Sequence, residues 1–148
     1  MTVLYVITGP PAGGKSSWIR AHATAQDIVI DLDRIALALA GPGAEDHAHG
    51  RVLTKVALRV RFAALDEACK YLDTTDVYLI HTMPDPKART RYRELGARIV
   101  VCDPGRDVVM QRIEDMRQPE MRAVATRWYD RYRKGGSRPV TVQASRQW

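Results

Sequence analysis

Cysteine is scarce. Only Cys69 and Cys102 occur in 148 residues, which excludes a disulfide scaffold. Both sit in apolar-periodic segments, where they read as small core residues of a protein kept in a reducing cytoplasm. No apolar run approaches the about 20 residues needed to span a bilayer, so no membrane partner is expected. No basic stretch precedes Met1-Thr-Val-Leu-Tyr-Val-Ile7, and those residues read as a strand, not as a secretory signal. Repeats, low-complexity tracts and linkers are missing too. At about 150 residues per domain, residues 1–148 are expected to form one domain, large enough to bury roughly two thirds of its unfolded surface. Hydrophobic residues make up 45% and charged residues 27% of the chain, which excludes a disordered or collagen-like protein.

Lysine is also scarce. The 23 basic side chains comprise 5 Lys and 18 Arg, against 17 acids, for a net charge of +6. A basic balance favours polyanions such as nucleic acid or nucleotides. An arginine excess suits bidentate phosphate binding, and equally well reflects a codon bias toward arginine and alanine.

Short apolar runs alternate with amphipathic stretches, the pattern of an α/β fold with a parallel sheet flanked by helices. Strands are expected at 2–8, 28–31, 77–80 and 97–102, with an edge strand from Pro139 to Val142. Helices are expected at 15–25, 33–40, 51–72, 86–95, 106–117 and 119–134. In the long helix Val52, Val56, Val60, Ala63 and Ala64 share one face, the expected core side. Trp18 is expected to pack the first helix on the sheet, and Trp128, Tyr129 and Tyr132 to serve packing.

Between the first strand and first helix lies Gly9-Pro10-Pro11-Ala12-Gly13-Gly14-Lys15-Ser16, which fits G-x-x-x-x-G-K-[ST] at every fixed position. The glycines let the backbone wrap phosphate oxygens, and successive N–H groups with the helix N-terminus offer partial positive charge to them. Lys15 would reach the β- and γ-phosphates of ATP, and the Ser16 hydroxyl would ligate Mg²⁺. Gly9, Ala12, Gly13, Gly14, Lys15, Ser16 and Ser17 are therefore the candidate nucleotide contacts.

After the second strand stands Ile30-Asp31-Leu32-Asp33-Arg34. Strand ends on this edge of such a sheet face the ligand. Asp33 is either a general base for an attacking hydroxyl or the N-cap of the next helix, and Asp31 could hold water on the metal. His81, ending the third strand, is a substrate hydrogen-bond donor or merely a strand-end histidine. Asp46-His47-Ala48-His49 places two imidazoles at i, i+2, a pair that can hold a metal, but with no cysteine cluster beside it. Arg51, Lys55 and Arg59 form a basic stripe, joined by Arg89, Arg91 and Arg93. These either track a nucleic-acid backbone or form solvated faces.

From residue 2 to about residue 134 the chain resembles the P-loop kinases of the type found in the 5′-hydroxyl kinase domain of bacteriophage polynucleotide kinase, with the related AAA-like and zeta-toxin kinase domains. The matching features are Gly9 to Ser16 with Ser17-Trp18, Asp33 at the position of the base, the helix 51–72 beside the acceptor site, Asp103 as a strand-end acid, and Arg112 and Arg117 as lid arginines. The resemblance implies a P-loop NTPase fold with a short arginine-bearing lid. It implies an ATP- and Mg²⁺-dependent phosphotransferase acting on an acceptor hydroxyl, a polynucleotide 5′-hydroxyl or a nucleotide foremost. A regulatory NTPase and a small-molecule kinase are the alternatives. The chain departs from the pattern at Ala36, where the family carries an arginine whose role is unfilled here or taken by Arg34, and at His81, where it carries an acid.

Overall fold

The computed structural model describes residues 2–46, 48–116, 118–134 and 142–143. Strand β1 (Leu4–Thr8) leads into helix α1 (Lys15–His22), followed by β2 (Ile28–Ile30), α2 (Leu32–Leu39) and α3 (Arg51–Ala68). A single 3-10 turn (Cys69–Tyr71) precedes β3 (Val77–Ile80), α4 (Pro86–Glu94), β4 (Arg98–Cys102), α5 (Arg106–Asp115), α6 (Glu120–Lys134) and the two-residue β5 (Val142–Gln143). The strands pair in the order β2-β3-β1-β4-β5, and every pairing is parallel. This is the α/β architecture the sequence suggested, a parallel sheet flanked by helices.

The strand sequences explain the layering. Leu4-Tyr-Val-Ile, Val77-Tyr-Leu-Ile and Ile99-Val-Val are continuously apolar, as strands covered on both faces must be. Leu4, Val6, Ile30, Val77 and Leu79 pack against Leu65 and Ala68 of α3 and Tyr92 of α4. On the opposite face Ile7, Tyr78, Val100 and Cys102 meet Ile19 of α1. Trp18 lies in that layer, its ring 6.0 Å from Tyr5, and holds α1 on the sheet as expected. The chain leaves β1 for β2 and β3 on one side and then crosses to β4 on the other. The carboxyl end of β1 is therefore the topological switch point, where a ligand crevice opens in such sheets.

Helix α6 is fastened to this same edge. The Trp128 indole N–H donates to the Thr82 carbonyl at 3.1 Å, and the Tyr129 hydroxyl donates to Asp103 Oδ1 at 2.6 Å. Their packing role is as the sequence suggested. Cys102 is buried and Cys69 partly so, both as free thiols. No helix among the described residues is long and apolar enough to cross a membrane.

One expectation needs correction. The regular α-helix of the long stretch stops at Ala68, four residues early, where the chain tightens into the 3-10 turn. Its buried face is Ala57, Leu65 and Ala68, whereas Val52 is 75% exposed and Val56 and Val60 also face outward. Helix α3 packs on α2 and β2, and the alanines are the side chains small enough for that approach. The periodicity identified the helix but not its rotation. The edge strand expected from Pro139 to Val142 is described at Val142–Gln143, at the end of the sheet beside β4; residues 139–141 lie outside the described residues.

The α3 rotation is testable by urea unfolding. Val52→Lys should leave stability within about 0.5 kcal/mol, as exposed substitutions do. Ala57→Leu should cost about 1–3 kcal/mol by overpacking. The reverse ranking would refute the rotation described.

Candidate nucleotide-binding site

The loop between β1 and α1 is seated on the end of β4. Gly9 has φ +142°, and a Cβ there would lie 2.2 Å from the Cys102 carbonyl oxygen. A Cβ on Gly13 would lie 2.5 Å from that same oxygen and 2.8 Å from the Pro10 carbonyl. Only glycine fits either place. The Gly13 N–H donates to the Pro10 carbonyl at 3.0 Å, and Ala12 is held left-handed at φ 59°. Gly14 caps α1 without a side-chain bond, and no acid stands in the first turn of that helix. The first N–H groups of α1 are thus presented without a side-chain acceptor at the cap, in the geometry that suits an anion.

Lys15 opens α1 and folds back over the loop. Its ammonium donates to the Gly9 carbonyl at 2.9 Å and the Pro10 carbonyl at 2.7 Å. Burial lowers its pKa to about 8, against the opposing pull of the Cys102 thiol and the Asp31 and Asp33 carboxyls. Beside it is a cavity of about 350 Å³, lined by residues 11–17, Arg20 and Asp33 on one side and by Ile113, Met116, Gln118 and Met121 on the other. Phosphate-loop amides, an ammonium, a hydroxyl (Ser16) and a carboxylate therefore share one space with apolar side chains suited to a flat ring. Arg112 approaches from α5, donating to the Ala12 carbonyl at 3.0 Å; burial lowers its pKa.

The two acids after β2 divide their roles. Asp31, not Asp33, is the N-cap of α2: its side chain accepts the Asp33 N–H at 3.0 Å. Burial raises the Asp31 pKa, and the bond from the Asp33 N–H opposes the rise. Asp33 sits in the first turn of α2 and lines the cavity. Its Oδ1 lies 3.2 Å from Nε2 of His49, whose side chain is only 7% exposed.

His81 stands one strand over. Its backbone N–H donates to the Ile7 carbonyl at 3.0 Å, and its ring Nδ1 is 2.7 Å from the Tyr92 hydroxyl. Burial, reinforced by the Arg61 guanidinium, lowers its pKa to about 4, so the ring is neutral near pH 7. His81 and Arg34 are not among the cavity-lining residues, and Arg34 is exposed on α2. Ala36 is fully buried, so no arginine could be housed there. Asp103 accepts the Gly105 N–H at 3.0 Å as well as the Tyr129 hydroxyl, which ties it to the β4–α5 turn. Arg51, Lys55 and Arg59 are exposed. On α4, Arg91 pairs with Asp66, and Arg89 lies over the Tyr132 ring at 5.6 Å.

Among the expected residues, then, the loop from Ala12 to Ser17 and Asp33 share the cavity, and Arg112 touches its wall. Arg117 and His47 lie outside the described residues. Among the described residues no three His, Cys, Asp or Glu side chains cluster as a metal site. Sequence reasoning missed Arg20, Met116 and Met121, which carry no motif, and the contact of His49 with Asp33, which is made across a loop.

A family model described as an AAA domain matches residues 4–134, a span that holds the phosphate loop, Asp33, His81 and Arg112. No curated protein sequence matches the chain.

The buried Lys15 ammonium has a measurable consequence. Phosphates beside it favour its charged form, so ligand binding raises its pKa above about 8. Above that pH, ATP binding takes up a proton, and affinity falls as pH rises. Calorimetry near pH 8.5 in two buffers of different ionisation enthalpy should show net proton uptake. In Lys15→Met the uptake should vanish. Equal uptake in both proteins would contradict the assignment.

Proposed function

The chain belongs to the AAA domain family, and from that footing we propose that its kinase-like P-loop domain transfers the γ-phosphoryl group of ATP to an acceptor hydroxyl. A polynucleotide 5′-hydroxyl or a nucleotide is the acceptor this reading favours. The observation that carries it is the Asp33 carboxylate in the same cavity as the phosphate loop, supplied by a different strand–helix junction. A carboxylate in that place can take the proton of an attacking hydroxyl.

In this reading the β- and γ-phosphates lie on the amides of residues 12–16, and Lys15 turns from the Gly9 and Pro10 carbonyls to the phosphate oxygens. The base lies toward Met116 and Met121, whose polarisable side chains suit an aromatic face. Ser16, in the cavity wall, would hold Mg²⁺, which when bound neutralises phosphate charge. The acceptor oxygen bonds to the γ-phosphorus while the bridging bond to the β-phosphate breaks. The hydroxyl proton passes to Asp33, and ADP leaves. Arg112 is close enough to the loop to exchange the Ala12 carbonyl for a phosphoryl oxygen; Arg117, which the resemblance pairs with it, lies outside the described residues. The acceptor would extend past the cavity toward Asp31, Arg34 and His81, none of which lines it, with His81 as a neutral hydrogen-bonding group.

One observation favours a second reading. The neutral His81 replaces an acid at the end of β3, which suits a regulatory NTPase whose only acceptor is water. A small-molecule kinase is the third, and the Arg91–Asp66 pair, which removes one cation from the basic surface, supports it.

Incubation with γ-labelled ATP and a panel of 5′-hydroxyl oligonucleotides, nucleosides and sugars separates the three. With the acceptor in hand, Asp33→Asn should lower transfer by roughly 10²–10⁴-fold, the usual worth of a positioned base, while ATP affinity holds. Normal turnover in that variant would reduce Asp33 to a helix-end acid.

A further inference from the structure

His49 is buried where its surroundings are not. It lies two residues before α3, and the residues on either side of it, Ala48 and Gly50, are exposed. Its own side chain is 7% exposed. Neither ring nitrogen makes an aligned hydrogen bond, and both are sealed from solvent. Burying an imidazole in this way is costly, and an apolar side chain would fill the space without the cost. Its Nε2 lies 3.2 Å from Oδ1 of Asp33. An ionised carboxylate can only accept, so the nitrogen facing it must carry a proton. Contacts of this kind are commonly loose before substrate arrives and tighten around it.

We infer that His49 is a positioning residue for Asp33: its Nε2–H holds Oδ1 and so fixes the carboxylate in the face it turns to the cavity. This rests on the reading of Asp33 as the base. The loop between α2 and α3 thereby becomes part of the site, although only its last residues reach it. The pair is built from a helix N-terminus and a residue 16 positions further on, and the packing of α3 on α2 closes the gap. Any displacement of α3 would then move the base, which couples the acceptor side of the crevice to the chemistry.

The test uses the full chain, γ-labelled ATP and a 5′-hydroxyl oligonucleotide. His49→Leu keeps bulk and removes the donor. It should lower kcat by about 10²-fold, the order expected when a reacting group is displaced by an ångström, and leave the KM for ATP unchanged. His49→Gln returns an N–H to the Nε2 position and should recover most of that loss. In the Asp33→Asn background His49→Leu should cost nothing more. In the ¹⁵N spectrum of the imidazoles, Asp33→Ala should shift the His49 Nε2 signal, with or without an acceptor present. Normal kcat in His49→Leu beside a crippled Asp33→Asn overturns this inference alone, as does an unshifted Nε2 signal. Equal losses in His49→Leu and His49→Gln that follow the folded fraction also overturn it. Normal transfer in Asp33→Asn, or no transfer by the unaltered chain, removes the base and this inference together.

Discussion

The carbonyl oxygen of Cys102 occupies the space where side chains at residues 9 and 13 would stand. That contact joins the end of β4 to the loop leaving β1, and the site hangs from it. Parallel pairing of β1 with β4, with Thr8 opposite Val101, brings the two strand ends level so that the loop can lie across the neighbouring strand. Ala12 is held left-handed there, a conformation costing on the order of 1–3 kcal/mol for a residue with a side chain. The strands on either side supply the rigidity that maintains it. The result is a row of amides already turned outward, with little ordering left for a phosphate to impose.

Burial sets the electrostatics around this loop. It lowers the Lys15 pKa to about 8 and the His81 pKa to about 4, and raises the Cys102 pKa to about 11. Near pH 7 this leaves His81 and Cys102 neutral and Lys15 still largely charged, and an anion at the loop favours that charge further. Lys15 therefore rests on two carbonyls, and its charge is best satisfied by phosphate. Helix α6, held by Trp128 and Tyr129, completes the apolar side of the cavity through Met121.

The phosphate loop was legible because its requirements act on the backbone. A glycine that must touch a carbonyl admits no substitute, so the requirement is written in the residue type. The central strands were legible because burial on both faces demands unbroken apolar runs. The rotation of α3 was not: valines and alanines both recur at helical spacing, and only packing on α2 and β2 selects the alanines. Asp31 and Asp33 are both competent caps, and the choice between them turns on where α2 begins, one residue earlier than expected. The approach of His49 to Asp33 has no local signal, since it depends on how the loop returns between two packed helices. Ala36 and His81 were legible as departures, and the burial of each gives the departure a physical meaning.

The central claim is that a loop pinned to the Cys102 carbonyl binds the phosphates of a nucleotide. The most direct test is calorimetric titration of Gly13→Ala with ATP and Mg²⁺, with circular dichroism to establish that the sheet and helices persist. The added methyl must displace the loop or the end of β4. ATP affinity should then fall at least about tenfold, a loss of about 1.4 kcal/mol, in a protein that remains folded. A folded Gly13→Ala protein that binds ATP as tightly as the unaltered chain would contradict the account.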